Sequence, residues 1–176
     1  MSDPNDRAML LELREISESL PMGARILDVE PSRYTRRWFS RFNQFDYRTL
    51  GRSAPDVEIR GDLTSVTLTK GICHLIVCSQ GIDRDLDLMA AALALHRLTG
   101  AGGTVLVGVP AASSGADATT MLQHALEEAG FTVTAGDRAW RLTPQAVRRF
   151  GLVLGTSVLV GTTDQAAPKP QHTHQH

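Results

Sequence analysis

Hydrophobic and polar residues follow two different spacings along this chain, one helical and one typical of buried strands. Four apolar residues near the amino terminus recur at intervals of three or four: Met9, Leu13, Ile16 and Leu20. This spacing predicts an amphipathic helix over residues 6–20. The continuous apolar runs at 74–79 and 104–110 predict strands that are covered on both faces, as in a parallel sheet.

Predicted strands and helices alternate along most of the chain. Further strands are predicted over 25–30, 45–50, 57–62, 131–136 and 151–161, the last with a bulge at Gly155. Further helices are predicted over 34–42, 85–98 and 117–129, and another begins at Thr143-Pro144. The glycine-rich run 100–103 is expected to end the helix over 85–98, because glycine takes the left-handed conformation found at many helix ends.

This alternation predicts an α/β fold with a doubly wound, mostly parallel sheet and helices on both faces. We expect one domain over residues 1–164, followed by a disordered, histidine-containing tail over 165–176. Ligands of such sheets bind beyond the carboxyl ends of the strands, near the point where the strand order reverses. The residues to examine for function are therefore those that follow the strands.

The overall composition excludes several classes of function. A net charge of -1 predicts neither nucleic-acid nor membrane binding, and no apolar run is long enough to span a bilayer. The polar start of the chain is unlike a signal peptide. Cys73 and Cys78 lie in an apolar segment, which predicts buried thiols and a reducing, cytoplasmic location. No metal site is predicted, because nothing rigid holds His172, His174 and His176 of the tail.

Three segments, in order, carry a resemblance to a known family: "GARILDV", "VEIRGDLTSVTL" and "HLIVCSQGIDRDLDLMAAALALHRLTGAGGTVLVGVP". Over residues 22–134 the chain resembles the class I S-adenosylmethionine-dependent methyltransferases, most specifically in "RLTGAGGTVLVGVP". The resemblance implies a compact Rossmann-like methyltransferase fold without a cap domain. It also implies S-adenosylmethionine as the cofactor and a small-molecule or polypeptide acceptor for its methyl group.

The resemblance also implies candidate cofactor-binding residues at the strand ends, and these are Asp28, Glu30, Asp62, Leu63 and Ser79. Glu30 would accept a hydrogen bond from the ammonium group of the cofactor, although an acid there also stabilises a helix amino terminus. Asp62 would bind the adenine amino group with Leu63 against the ring, although Gly-Asp pairs are also common in ordinary turns. Ser79 ends the buried strand over 74–79, where a parallel sheet places its ligands.

Gln80 and Arg84 are the candidate substrate-binding residues, both within the segment "SQGIDR". Gln80 could orient a substrate through one donated and one accepted hydrogen bond, but it cannot transfer a proton, and a plain loop role fits it equally well. Arg84 stands where many members of the family have a histidine, and its permanently protonated guanidinium is a poor general base. No catalytic residue is therefore identified.

The sequence departs from the family at three further places. Glu30-Pro31-Ser32 replaces the glycine-rich turn after the first strand, where glycines let the backbone approach the cofactor. Gly51 and Arg52 stand where the second strand normally ends in an acid that binds both ribose hydroxyls. His74 replaces the aspartate that usually begins the fourth strand.

Other charged residues have simpler explanations. Asp83 or Asp85 is expected to cap the helix over 85–98, although two acids at this spacing could also serve as a base or as metal ligands. Four arginines are expected on a solvated helix face, with an acidic or phosphorylated partner as the alternative: Arg33, Arg36, Arg37 and Arg41.

Two functions compete for this sequence. The first is a methyltransferase that uses S-adenosylmethionine, and it is favoured because unusual turns after the first strand occur within the family. The second is a catalytically inactive, methyltransferase-like binding or scaffolding subunit, and it is favoured by the missing glycines, ribose-binding acid and histidine. Such a subunit would form a homodimer, pair with an active partner, or bind another ligand in the crevice.

Overall fold

The computed structural model describes residues 4–83, 86–109, 116–135 and 157–164. Four helices lie within these ranges: α1 (Pro4–Ser19), α2 (Arg33–Phe39), α3 (Leu88–Leu98) and α4 (Ala116–Ala129). Seven strands accompany them: β1 (Arg25–Val29), β2 (Asp46–Gly51), β3 (Ile59–Arg60), β4 (Cys73–Cys78), β5 (Thr99–Val109), β6 (Thr132–Ala135) and β7 (Ser157–Thr162). None of these four helices is both long and apolar enough to cross a bilayer.

The strands form one sheet in the order β3-β2-β1-β4-β5-β7-β6. The pairs from β3 to β5 are parallel, whereas β7 runs antiparallel to both β5 and β6. The chain moves outward from β1 to β3 and then returns to the other side of β1 with β4. The strand order therefore reverses between β1 and β4, where ligands of this architecture bind. This topology confirms the predicted doubly wound, mostly parallel sheet.

Alternate residues of the central strands enter two separate cores. One core lies on the face that α3 and α4 cover, and it contains Leu27 of β1 and Ile76 of β4. The other lies on the face that α1 and α2 cover, and it contains Ile26 and Leu75 of the same strands. Both faces of these strands are apolar because helices cover both faces, as the continuous apolar runs predicted.

The two cysteines are buried, unpaired thiols in β4, as predicted. Burial raises the pKa of Cys73 to about 11. Burial, followed by the negative charge of Asp28, raises the pKa of Cys78 as well. Both thiols therefore stay protonated and unreactive near neutral pH.

The start of α3 differs from the prediction. The N-cap is Asp87, whose carboxylate accepts the backbone N–H of Ala90 at 2.7 Å. The prediction that Asp83 or Asp85 caps this helix is therefore wrong. Asp87 takes the position because the helix begins at Leu88, three residues later than the apolar pattern indicated.

The end of α3 also differs from the prediction. Thr99 is extended, and its hydroxyl donates to the carbonyl of Leu95 at 2.7 Å, so a threonine rather than a glycine ends the helix. The run 100–103 belongs to β5, where the pairing with β4 is irregular between Cys73 and Leu75. The predicted helix at Thr143-Pro144, the predicted bulge at Gly155 and the tail over 165–176 lie outside the described residues.

Candidate functional site

The carboxyl ends of β2, β1 and β4 lie side by side at one edge of the sheet. Glu30 follows β1, Gly51 ends β2 and Ser79 follows β4. The register pairs Asp28 with Val77, so Glu30 and Ser79 leave the sheet at the same level. We call the region bounded by these three strand ends the crevice, since this edge is where such sheets bind ligands.

Glu30 binds the loop that follows β2. One carboxylate oxygen, Oε1, accepts the backbone N–H of Arg52 at 2.5 Å and that of Ser53 at 3.1 Å. The other, Oε2, accepts the N–H of Ala54 at 2.8 Å. The N-cap of α2 is Ser32, so the carboxylate of Glu30 is directed at the neighbouring loop and not at its own helix.

Gly51 provides the space for this carboxylate. A Cβ at position 51 would lie 3.1 Å from Oε2 of Glu30 and 3.1 Å from a methyl group of Val57. A side chain at the end of β2 and the present position of the Glu30 carboxylate therefore compete for the same space. The present position of the Glu30 carboxylate therefore leaves no room for an acidic side chain at the end of β2.

Two arginines complete the hydrogen bonding of the same loop. Arg60 donates from Nη1 to the carbonyls of Arg52, at 3.2 Å, and Ala54, at 2.8 Å. Arg36 of α2 donates to the carbonyls of Pro55 and Asp56. Arg36 therefore has a specific role in the loop, beyond the solvated helix face that the sequence predicted. The loop backbone over 52–56 is held by one anionic and two cationic side chains.

Arg52 and Asp83 connect two sides of the crevice. The Arg52 guanidinium lies 2.8 Å from a carboxylate oxygen of Asp83, in the loop after β4. Because β1 lies between β2 and β4, this ion pair joins the loops on either side of β1. It contributes a cation and an anion to the place where a ligand would lie.

Ser79 is a buried polar residue at the end of β4. Its side chain is fully buried, and its Oγ has no hydrogen-bond partner within the described ranges. Its carbonyl packs against Gly108 of β5, where a Cβ would lie only 2.2 Å from the carbonyl oxygen. Only glycine permits this approach, which brings the main chain after β4 against β5.

Asp62 organises the turn after β3. Its Oδ1 accepts the Thr64 N–H at 2.8 Å, the Thr64 hydroxyl at 2.6 Å and the Ser65 N–H at 3.0 Å. The side-chain hydrogen bond from Thr64 lowers the pKa of Asp62 most. Leu63 is buried in the core under α3 and α4. The structure thus gives Asp62 and Leu63 structural contacts; their predicted adenine contacts remain predictions.

Of the two candidate substrate-binding residues, the structure describes Gln80 only. Gln80 is exposed on a turn that the Gly81 N–H closes to the carbonyl of Cys78 at 3.0 Å. This position places its amide at the crevice edge of β4. Arg84 lies outside the described residues.

Asp28 lies inside the fold, one residue before the end of β1. It is fully buried, and its Oδ2 accepts the Tyr47 hydroxyl at 2.5 Å. Tyr47 stacks on Phe39 of α2, with ring centroids 4.8 Å apart. Burial, followed by the charge of Asp28, raises the pKa of Tyr47. Asp28 therefore has a structural contact in the core, and its predicted cofactor contact remains a prediction.

Sequence reasoning did not anticipate the roles of Tyr47, Arg52 and Arg60. Tyr47 lies in a predicted strand, but the residues around it in the sequence do not indicate that its hydroxyl meets a buried acid on the adjacent strand. Arg52 and Arg60 act through contacts with residues that are distant in sequence. The one signal in the sequence was Gly51 at the end of β2, because a glycine in a strand often marks the close approach of another group.

A cavity of about 310 Å³ lies at the opposite edge of the sheet, near the amino ends of β4 and β5. His74 lines it and accepts the backbone N–H of Arg25 on Nδ1 at 2.9 Å. We place the candidate site at the carboxyl edge, because the charged side chains and the buried Ser79 hydroxyl converge there. Across the described ranges, no group of three or more histidine, cysteine or acidic side chains could hold a metal ion.

Neither a protein-family model nor a curated protein matches this sequence. Solved structures match the fold. A TehB-like SAM-dependent methyltransferase from Corynebacterium glutamicum is 24% identical, with 88% of each chain covered and a TM-score of 0.56. A SAM-dependent methyltransferase from Archaeoglobus fulgidus is 10% identical, with 89% of this chain and 94% of that chain covered and a TM-score of 0.60.

The same core occurs within a longer chain. Phosphoethanolamine N-methyltransferase 2 from Haemonchus contortus, in complex with S-adenosyl-L-methionine, is 10% identical with a TM-score of 0.53. The match covers 90% of this chain and 52% of that one. At these identities the likeness concerns the fold: the chain has the Rossmann-like fold of S-adenosylmethionine-dependent methyltransferases, as the sequence resemblance implied.

Proposed function

We propose that this chain binds S-adenosylmethionine in the crevice and transfers its methyl group to a small-molecule or polypeptide acceptor. The observation that carries the proposal is the fold, which the chain shares with methyltransferases over 88–89% of its length. The neighbour from Haemonchus contortus holds S-adenosyl-L-methionine. The crevice of the present chain is the corresponding edge of the sheet by the general rule for doubly wound folds.

Two groups at the crevice suit a polar cofactor. A buried hydroxyl without a partner, such as Ser79 Oγ among the described residues, costs about 1–3 kcal/mol, which a polar ligand group would offset. A carboxylate has about four acceptor positions, and Glu30 uses three of them for loop amides. One position is left for a ribose hydroxyl or for the ammonium group.

The chain contributes positioning to the reaction. The sulfonium of S-adenosylmethionine supplies an activated methyl group together with a good leaving group. The crevice holds the acceptor in line with that group and limits the access of water. Gln80 orients the acceptor from the turn after β4. Glu30 and Asp83 are already engaged by N–H donors, so the site suits an acceptor that ionises without a protein base.

A second function is supported by the contact between Glu30 and Gly51. The acid that would bind both ribose hydroxyls is absent from β2, and the carboxylate that takes its space has one acceptor position left. In this alternative the chain is a catalytically inactive subunit. It binds another ligand in the crevice, or it pairs with an active partner or a second copy of itself.

Titration calorimetry tests the cofactor step. We expect the purified chain to bind S-adenosylmethionine or S-adenosylhomocysteine with a Kd below about 100 μM, which corresponds to about -5.5 kcal/mol. The absence of binding heat for both ligands, with the protein folded by circular dichroism, would exclude the methyltransferase. The Glu58→Gln variant is the control, because this acid forms an exposed ion pair with Arg48.

Transfer of a labelled methyl group separates the two functions. The chain is incubated with S-adenosylmethionine carrying a tritiated methyl group and with fractionated small molecules and peptides. Label in an acceptor, with stoichiometric release of S-adenosylhomocysteine, supports the enzyme. Tight cofactor binding without transfer, together with a stable complex in light scattering, supports the binding subunit.

A further inference from the structure

The ion pair between Arg52 and Asp83 joins the two loops that flank the carboxyl end of β1. Its partners follow β2 and β4, the strands on either side of β1. The side chains are 43% and 30% exposed, so the pair lies at the surface of the site and not within the core.

The backbone on the Arg52 side of the pair is fixed. The Arg52 N–H donates to Glu30, and the Arg52 carbonyl accepts from Arg60. Hydrogen bonds to charged groups contribute more to stability than an exposed ion pair does. On the other side, the Asp83 carbonyl accepts the Leu86 N–H at 3.1 Å. The pair therefore opens by rotation of its two side chains while the loop backbone stays in place.

We propose that Arg52 and Asp83 form a side-chain gate, which an S-adenosyl ligand must open to enter the crevice. The inference rests on the proposed function, because it takes that ligand as the occupant. The gate is weak, since an exposed ion pair contributes at most about 1 kcal/mol, a factor of about five in affinity. In the closed state the two charges of the gate are paired. In the open state the crevice is accessible to the ligand.

Three variants test the gate by calorimetry with S-adenosylhomocysteine: Asp83→Asn, Arg52→Gln and the double variant. Each single variant is expected to bind about two- to fivefold more tightly than the parent chain, because the pair no longer has to be broken. The double variant is expected to gain no more than a single variant, because both remove the same interaction. Glu58→Gln, which removes an equivalent charge from another arginine pair, should leave the affinity unchanged.

Salt provides a readout that a change in stability alone would not produce. Raising the ionic strength from about 0.05 M to about 0.5 M screens an exposed pair, so the difference between the parent chain and Asp83→Asn should shrink. A difference that persists at high salt would contradict the gate.

The other outcomes are equally decisive. Equal affinity in all variants overturns the gate while the proposed cofactor binding stands. Tighter binding by Asp83→Asn with weaker binding by Arg52→Gln overturns it too, because Arg52 would then be a ligand contact. A lack of binding by every folded variant refutes the proposed function, and the gate with it.

Discussion

Glu30 shows how one side chain can both stabilise a loop and limit a binding site. Its φ of 47° lies in the left-handed region, which costs a residue other than glycine about 1–2 kcal/mol. Three hydrogen bonds from backbone N–H groups to its carboxylate offset this cost. The same hydrogen bonds determine how much of the carboxylate remains for a ligand.

The Glu30→Gln variant is expected to lose about 1–3 kcal/mol of its free energy of unfolding, because an amide NH₂ would face the loop N–H groups that the carboxylate now accepts. Urea denaturation followed by circular dichroism measures the change. Glu58→Gln, an exposed acid, should stay within about 0.5 kcal/mol of the parent. An equal loss in both variants would show that net charge, and not the loop contact, is responsible.

Ser79→Ala separates binding from stability. The hydroxyl has no partner among the described residues, so its removal should leave the free energy of unfolding unchanged or raise it slightly. Affinity for S-adenosylhomocysteine should fall about tenfold, the equivalent of one hydrogen bond of about 1.4 kcal/mol. Unchanged affinity in calorimetry would remove Ser79 from the site.

Tyr47 makes the free energy of unfolding depend on pH in the alkaline range. Its folded pKa is raised above the unfolded value of about 10, so its contribution is complete below pH 10 and is lost as the pH rises through the folded value. Tyr47→Phe should be about 1–3 kcal/mol less stable at pH 8, because Asp28 loses a buried donor. The gap between the two proteins should narrow above pH 10 in urea titrations; a constant gap would contradict this assignment.

At the scale of elements, the predictions that held were those governed by local pattern. Both apolar runs became central strands, because helices on both faces require apolar residues at every position of such a strand. The ends of α3 were predicted wrongly, because they depend on the path of the chain and not on a local pattern. Asp83, Asp85 and Asp87 are all plausible caps by type, and the choice among them depends on where the chain leaves β4.

The α3 N-cap gives a direct test at this scale. Asp87→Ala should lower the free energy of unfolding by about 1 kcal/mol, because the Ala90 N–H loses its acceptor. Asp87→Asn should retain most of the stability, since asparagine caps as well as aspartate. Chemical denaturation of both variants measures the difference, and an equal loss in both would assign the effect to charge.

For the whole molecule, the order of elements could be predicted from the sequence, but the side-chain contacts at the crevice could not. Strand and helix alternation determines a parallel sheet and the edge at which it binds ligands. The contact of Glu30 with Ala54 joins residues 24 positions apart, and the Arg52–Asp83 pair spans 31. No local pattern encodes such pairs, so the sequence indicated where the site lies without indicating which groups are already occupied there.

Hydrogen exchange can distinguish the crevice from the cavity at the opposite edge of the sheet. If S-adenosylhomocysteine binds in the crevice, amide exchange should slow in 50–54 and 79–83 and stay unchanged in 16–21 and 71–74, which border the cavity at the opposite edge. Mass spectrometry of peptides with and without the ligand measures this. Protection confined to the second set would move the binding site to the other edge of the sheet.

The close approach of Glu30 to Gly51 restricts the order in which this site could change. Gly51→Asp would restore an acid at the end of β2, but its Cβ would lie 3.1 Å from a carboxylate oxygen and bring two like charges together. Replacing Glu30 by glycine first would release both the space and the left-handed backbone strain. The loop N–H groups would then be free to donate to the new carboxylate. An acid at the end of β2 thus takes two substitutions, and only the order that begins at Glu30 avoids an intermediate with two like charges in contact.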